Sequence, residues 1–112
     1  MKILIINFNL KNLGVDDFKA QAHIDAIDFR GVEGLISKYF IGDENDNVYG
    51  GVYIFKDEES LEKYKKGPIF EFLSTNEFFA NFTTKEHGVI DGPSITPCSF
   101  VVKLSKYSLV DK

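Results

Sequence analysis

The residues whose types could support chemistry are an amide, a histidine and several tyrosines. Asn7 is a polar amide within the otherwise apolar run 2–9, KILIINFN. A buried amide must find hydrogen-bond partners, so Asn7 either orients a ligand carbonyl or phenol, or bonds to loop backbone near the strand end. His23 borders the apolar stripe of a predicted helix and is a candidate base near neutral pH, although such a histidine is more often structural. These two side chains are the predicted catalytic residues.

A pair of glycines interrupts a segment that otherwise has the composition of a β-strand. Residues 47–55 read NVYGGVYIF, and strand alternation places Gly51 between Tyr49 and Tyr53 on one face, with Gly50 on the other. The gap accommodates either a β-bulge or a close contact with a helix or partner, or it forms a recess with two tyrosine hydroxyls at its rim. The second interpretation predicts a site for a small apolar or aromatic ligand. Its predicted contacts are Tyr49, Gly51 and Tyr53, with Tyr64 from a nearby helix.

Composition excludes several classes of function. The net charge of −4 over 112 residues argues against a nucleic-acid-binding surface, because such proteins concentrate Lys and Arg on one face. The first apolar run, residues 3–6, is too short for a signal peptide or a membrane span, so we expect a cytoplasmic protein with no membrane partner. A single cysteine, Cys98, forms no internal disulfide and suits a reducing compartment. His23 and His87 have no partners at metal-ligand spacing, so no metal site is predicted.

Periodicity predicts the order βαββαβ. The predicted strands are residues 2–9, 35–41, 47–55 and 80–90, and the helices follow Gly14 and Asp57 and end at Gly31 and Gly67, with a further helical turn or two at 69–73. This order is the α+β ferredoxin-like arrangement, an antiparallel sheet with its helices on one face. The first helix also carries a second apolar stripe, Ala20, Ile24 and Ile27, and we expect it to be covered on two sides.

The predicted sheet has large apolar side chains on both faces. The first strand places Leu4 and Ile6 on one face and Ile3 and Ile5 on the other. Because two helices cover only one face, a second subunit is the economical cover for the other, which predicts an obligate homodimer. Turn-rich residues 91–97 separate the domain, 1–91, from an extension, 92–112, whose possible fifth strand at 99–104 is expected to contact the partner subunit.

Several segments together resemble one known family. Residues 1–8 (MKILIINF), 34–38 (GLISK), 49–55 (YGGVYIF) and the region 70–89 are similar to the YdhR-like monooxygenases, over about residues 1–91. That family belongs to the dimeric α+β barrel superfamily, which also includes antibiotic-biosynthesis monooxygenases. The resemblance implies oxygenation of a small aromatic or polyketide-like compound without a bound cofactor. Asn7 and a tyrosine would then hydrogen-bond to a developing phenolate, with His23 as base.

Other members of the superfamily leave alternatives open. Its haem-degrading branch needs an Asn in the first strand, a Trp in the second helix and a His shortly after it. Asn7 matches, but the chain has no Trp, Tyr64 lies near the Trp position and Ser74 near the His position, so haem is not expected. A non-catalytic dimeric module that binds a small ligand, and an isomerase or lyase, remain as alternative functions.

Overall fold

The computed structural model describes residues 1–90 and Pro93. Over these residues the chain forms β1 (Lys2–Leu10), α1 (Val15–Phe29), β2 (Leu35–Asp43), β3 (Val48–Phe55), α2 (Glu58–Lys65), α3 (Pro68–Thr75) and β4 (Phe79–Gly88). The strands form one antiparallel sheet in the order β2-β3-β1-β4. This confirms the predicted α+β ferredoxin-like sheet. The predicted fifth strand, and the extension 92–112 apart from Pro93, lie outside the described residues.

The β2–β3 hairpin ends in a turn that is fastened to the neighbouring strand. Asn47 has a left-handed backbone, with φ of 54°, a conformation that Asn tolerates better than most residues. Its side-chain Nδ2 donates to the Leu10 carbonyl at 3.0 Å, and its Oδ1 accepts from the Leu10 N–H at 3.3 Å. The turn therefore holds the tip of the hairpin against the end of β1. It also lets β2 run to Asp43, two residues beyond the predicted end at Ile41.

The predicted start and end signals of α2 are confirmed. The carboxylate of Asp57 accepts a hydrogen bond from the Ser60 N–H at 2.8 Å, as an N-cap does. The helix ends before Gly67, and Pro68 opens α3. Proline suits this first position because the N–H it lacks would have no hydrogen-bond partner within the helix. The short segment after Pro68 is thus a helix of its own, α3.

The aromatic face of the sheet is the one that meets the helices. Tyr49, Tyr53 and Phe55 of β3 are buried together with Leu4, Ile6 and Phe8 of β1. On the opposite face Ile3, Ile5, Val52 and Ile54 remain only half-buried. Both faces are therefore apolar, as the sequence predicts, but only one of them forms the core.

Helix α1 is covered on one side, not two. Phe18 and Phe29 are its buried residues, whereas Ile24 and Ile27 of the second apolar stripe are 61% and 64% exposed. The expectation of cover on both sides is wrong for the described residues, because α1 lies on the outer surface of the sheet and only its inner stripe reaches the core. Over the same residues, no helix combines the length and the apolar character that crossing a membrane requires.

Candidate functional site

A cleft of about 540 Å³ opens between α1 and α3 above the aromatic face of the sheet. The small side chains Ala20 and Ala22 of α1 form one wall, and Phe72 and Leu73 of α3 form the other. Phe72 is 64% exposed, which leaves one aromatic ring beside the opening. A concave apolar space with a few polar groups is the usual form of a small-molecule site.

The polar groups of the cleft are few and come mainly from α1 and β2. They are Asp17, Gln21 and Asp25 of α1, Lys38 of β2, the hydroxyl of Tyr53, and Asn76 after α3. Because these few polar groups border a space that is otherwise mainly apolar, a ligand here would be held chiefly by apolar contact and oriented by one or two polar bonds.

Lys38 is the side chain that sequence reasoning missed. Its Nζ lies 3.3 Å from the centroid of the Phe29 ring and 3.7 Å from that of Phe40, with the Tyr53 ring at 4.8 Å. Burial lowers the pKa of Lys38 to about 7, and the carboxylate of Asp25 acts in the opposite direction. The ring faces also favour the charged form, since an ammonium is attracted to the π-system.

The signal that could have revealed Lys38 was the register of the hairpin. Lys38 pairs with Tyr53, and Phe40 pairs with Gly51, so beyond the irregularity near the start of β2 its even-numbered residues share the aromatic face of β3. An otherwise ordinary lysine is thereby placed among aromatic rings. Periodicity within β2 alone did not reveal this, because Tyr39 and Ile41 make the opposite face of that strand equally apolar.

The glycine pair in β3 allows close contacts and is not a bulge. Pairing runs without a shift through Gly50 and Gly51 on both sides, and the irregularities of the sheet lie elsewhere, between Asn7 and Asn9 and between Leu35 and Ser37. A Cβ on Gly50 would overlap the carbonyl oxygen of Ile6. Gly50 therefore permits β1 and β3 to approach closely.

The space over Gly51 is filled by neighbouring side chains. A Cβ at this position would lie 2.9 Å from Cε1 of Tyr53 and 3.2 Å from Cε of Lys38. The predicted open recess at Gly51 is therefore not observed, because the stem of Lys38 and the Tyr53 ring occupy it. The glycine instead gives Lys38 room to lie across the sheet.

A second cavity, of about 400 Å³, lies on the other side of α1 toward the hairpin. His23 and Glu44 border it, and Tyr49 forms part of its wall. The Tyr49 side chain is buried and its hydroxyl has no hydrogen-bond partner among the described residues. Burial raises the pKa of Tyr49, and the nearby carboxylates of Glu44 and Asp43 raise it further.

Tyr64 is a core residue of the described structure. Its ring packs near those of Tyr53, Phe55 and Phe70, at centroid distances of 5.4, 5.5 and 5.9 Å. Its hydroxyl is buried, and burial raises its pKa to about 12. Burial likewise raises the pKa of Tyr53. Both phenols are therefore neutral near pH 7.

The structure does not bring the predicted site residues together. Asn7 pairs with Gly50 and Thr83, on the sheet face opposite the helices, whereas His23 is exposed on α1 beside the second cavity. Tyr53 lines the cleft and Tyr49 the second cavity, while Gly51 and Tyr64 line neither of these two spaces. The hydroxyls expected at the rim of a recess, those of Tyr49 and Tyr53, belong to buried side chains.

The cleft does not fit a metal ion or a histidine-held haem. The described residues contain no group of three or more His, Cys, Asp or Glu side chains that could hold a metal. Among the residues that the structure describes, no histidine or cysteine lines the cleft, and these are common axial ligands of haem iron. Tyr53, the one phenol that lines the cleft among the described residues, has a raised pKa and so resists the deprotonation that ligation needs.

Comparison with known proteins gives one family and a consistent set of folds. The family model described as "Putative mono-oxygenase ydhR" matches residues 3–97. No curated protein matches the chain in sequence.

Solved structures with the same fold share little sequence with this chain. SnoaB, a cofactor-independent oxygenase from Streptomyces nogalater, solved as a point mutant, is 13% identical, with a TM-score of 0.62 over 83% of this chain and 98% of that one. The haem degrader MhuD from Mycobacterium tuberculosis, with two haems in its active site, is 12% identical, with a TM-score of 0.65 over 80% and 96%. A "putative antibiotic biosynthesis monooxygenase" from Deinococcus radiodurans is 10% identical, with a TM-score of 0.65 over 86% and 99%.

Proposed function

This chain belongs to the ydhR mono-oxygenase family, and we propose that it oxygenates a small aromatic or polyketide-like compound in the cleft between α1 and α3, without a bound cofactor. The observation that carries the proposal is the cleft itself, about 540 Å³ of mainly apolar space with a few polar groups at its wall. Its size suits a small fused-ring compound. SnoaB, which shares the fold, is named a cofactor-independent oxygenase, and this supports the same class of reaction here.

In such a reaction the protein supplies surroundings and the substrate supplies electrons. The substrate loses a hydroxyl proton and becomes an electron-rich oxyanion, and dioxygen accepts its electrons. One oxygen atom enters the product and the other leaves as water. Aromatic walls such as Phe29 and Phe72 exclude water and hold the substrate plane, while nearby polar groups orient the oxyanion. Among the predicted ligand contacts, Tyr53 is the one that lines this cleft.

The roles predicted for Asn7 and His23 remain predictions. For His23 the geometry supports a role only for a ligand in the second cavity, which this residue borders. For Asn7 it supports a role only for a ligand that reaches the open face of the sheet. Loss of activity in Asn7→Ala with the fold retained would support the role of Asn7, and the same result in His23→Ala would support that of His23.

Oxygen uptake with a panel of hydroquinones and anthrones tests the proposal. We expect Ala20→Trp, which narrows the cleft, to lower the uptake rate by about tenfold or more, since the substrate no longer seats correctly. Ala26→Trp is the matched control, because Ala26 borders the second cavity instead. Equal loss in both variants, or none in Ala20→Trp, would contradict the cleft as the site, and circular dichroism checks that each variant folds.

A wild-type protein that binds members of the panel without consuming oxygen would favour the non-catalytic binding module. Conversion of a bound compound without oxygen uptake would favour the isomerase or lyase. Both results would overturn the proposed oxygenase activity.

We also propose that the functional form is a homodimer paired through the open face of the sheet. Among the described residues, this face is lined by four side chains that are only half-buried: Ile3, Ile5, Val52 and Ile54. A second copy presents the same apolar strip, so the strips of the two copies would cover each other. The dimeric superfamily that the sequence resembles supports the same arrangement.

A further inference from the structure

We propose that Lys38 is the acid–base residue of the cleft: its amine takes the hydroxyl proton of a phenol or enol substrate and then holds the resulting oxyanion as an ion pair. The inference rests on the proposed function and deepens it, because it restricts the substrate to compounds with an ionisable hydroxyl. In this step an O–H bond breaks, an N–H bond forms, and the electron pair stays on the substrate oxygen. The step itself involves no oxidation.

The position of the amine supports this role. Nζ lies between the Phe29 and Phe40 rings, whose centroids are 6.1 Å apart, and makes no hydrogen bond or ion pair among the described residues. Lys38 lines the cleft and is its one basic side chain in the described part of the chain. An amine without a protein acceptor has its hydrogen-bonding capacity available for a ligand.

The groups around Lys38 allow its charge to change with the bound ligand. Burial favours the neutral amine, whereas Asp25 on α1 and the ring faces favour the ammonium. Tyr53 on β3 faces the amine as a neutral phenol because its pKa is raised, and Asp17 on α1 also borders the cleft. Both protonation states of Lys38 are therefore accessible near neutral pH, which an acid–base catalyst requires.

A bound oxyanion gains most from the ammonium. Apolar walls surround the pair and lower the local dielectric, so the attraction between oxyanion and ammonium is stronger than it is in water. The aromatic rings fix Nζ in place without competing as acceptors. Exposed lysines such as Lys66 have neither property.

Binding of 4-nitrophenol tests the inference directly, because its phenolate absorbs at a longer wavelength than the phenol. We expect the wild type to lower the pKa of the bound probe by roughly one unit or more. Lys38→Met removes the charge and is expected to abolish this shift while binding the neutral phenol. Lys66→Met, a substitution of an exposed lysine, should behave as wild type. An unshifted probe on the wild type, no saturable binding, or an equal shift in Lys38→Met would overturn the inference.

A second measurement does not depend on the variant folding. An NMR titration of the Lys38 side chain in the wild type should show its pKa rising when 4-nitrophenol saturates the protein, because the bound phenolate favours the ammonium. No change in that pKa would overturn the inference.

Lys38→Arg separates charge from proton transfer: its guanidinium should still stabilise the bound phenolate of the probe, but oxygen uptake should fall, since a guanidinium is already protonated and cannot take the substrate's proton. Full oxygen uptake in Lys38→Arg would overturn the base role.

The inference and the proposed function fail in different ways. If the wild type ionises the probe and Lys38→Met does not, yet the wild type consumes no oxygen with any phenol or anthrone, the oxygenase proposal fails and the role of Lys38 as proton acceptor stands. If oxygen is consumed equally by the wild type and Lys38→Met, the oxygenase proposal stands and the inference fails.

Discussion

Lys38 shows how far the environment of one residue can depart from its type. A lysine is ordinarily a hydrated surface charge, yet here its Nζ lies 3.3 Å from the centroid of one aromatic ring and 3.7 Å from that of another. Sequence reasoning chose His23 as the base because histidine titrates near neutral pH in water. Burial can move a lysine into the same range, and burial is a property of position that residue type does not reveal.

The titration of Lys38 predicts how stability depends on pH. The pKa of Lys38 is about 7 in the folded protein, against 10.5 for an ordinary lysine, so between these values the unfolded chain binds more protons. The free energy of unfolding should therefore rise with pH over this window, by at most about 1.4 kcal/mol per pH unit for one proton. Below about pH 7 this contribution should be constant.

Urea unfolding from about pH 7 to about pH 9 measures this effect as the difference between wild type and Lys38→Met. The variant should lack the part of the rise that Lys38 causes, and Lys66→Met should retain it. Parallel pH profiles for wild type and Lys38→Met would show that the ring faces and Asp25 keep Lys38 charged in the folded state.

Among the elements, β3 is the strand with the most constraints on its residues. It pairs with β1 on one side and β2 on the other, and its alternating residues separate the aromatic core from the open face. The two glycines satisfy different neighbours: Gly50 makes room for the backbone of β1, and Gly51 for the side chains of Lys38 and Tyr53.

The two glycines should therefore differ in their tolerance of a methyl group. Gly51→Ala places Cβ against side-chain atoms that can shift, so we expect a loss of about 1–3 kcal/mol in the free energy of unfolding and a displaced Lys38. Gly50→Ala meets backbone of β1, which cannot move without breaking the ladder, and should lose more. Urea unfolding measures both, and a larger loss in Gly51→Ala would contradict this account of the strand.

For the molecule as a whole, the open face of the sheet is the apolar surface that the described residues leave uncovered. Val52 and Ile54 are only half-buried there, and Tyr39 is 61% exposed. Fully burying a side chain of this size contributes about 1.5–3 kcal/mol, and this burial is the free energy that would support the proposed pairing of two such faces. The cleft lies on the other face, between the helices, so pairing would leave it open.

A charge in the middle of this face should separate the proposed dimer. We expect light scattering to give a dimer for the wild type at micromolar concentration and a monomer or an aggregate for Val52→Asp, because pairing would bury an uncompensated carboxylate. Ile24→Asp is the control, since Ile24 is 61% exposed on α1, away from this face. A stable wild-type monomer at that concentration would contradict the pairing.

The order of the elements, the antiparallel sheet, the α2 cap at Asp57 and the two apolar faces of β1 and β3 could all be predicted from the amino-acid sequence. Each depends on local propensity or on strand alternation, which can be recognised from residues close together in the sequence. The sequence did not reveal which face the helices cover, where the cleft opens, or that Lys38 rather than His23 lines it. These follow from register between β2 and β3 and from the spacing of α1 and α3, which depend on contacts between residues distant in sequence.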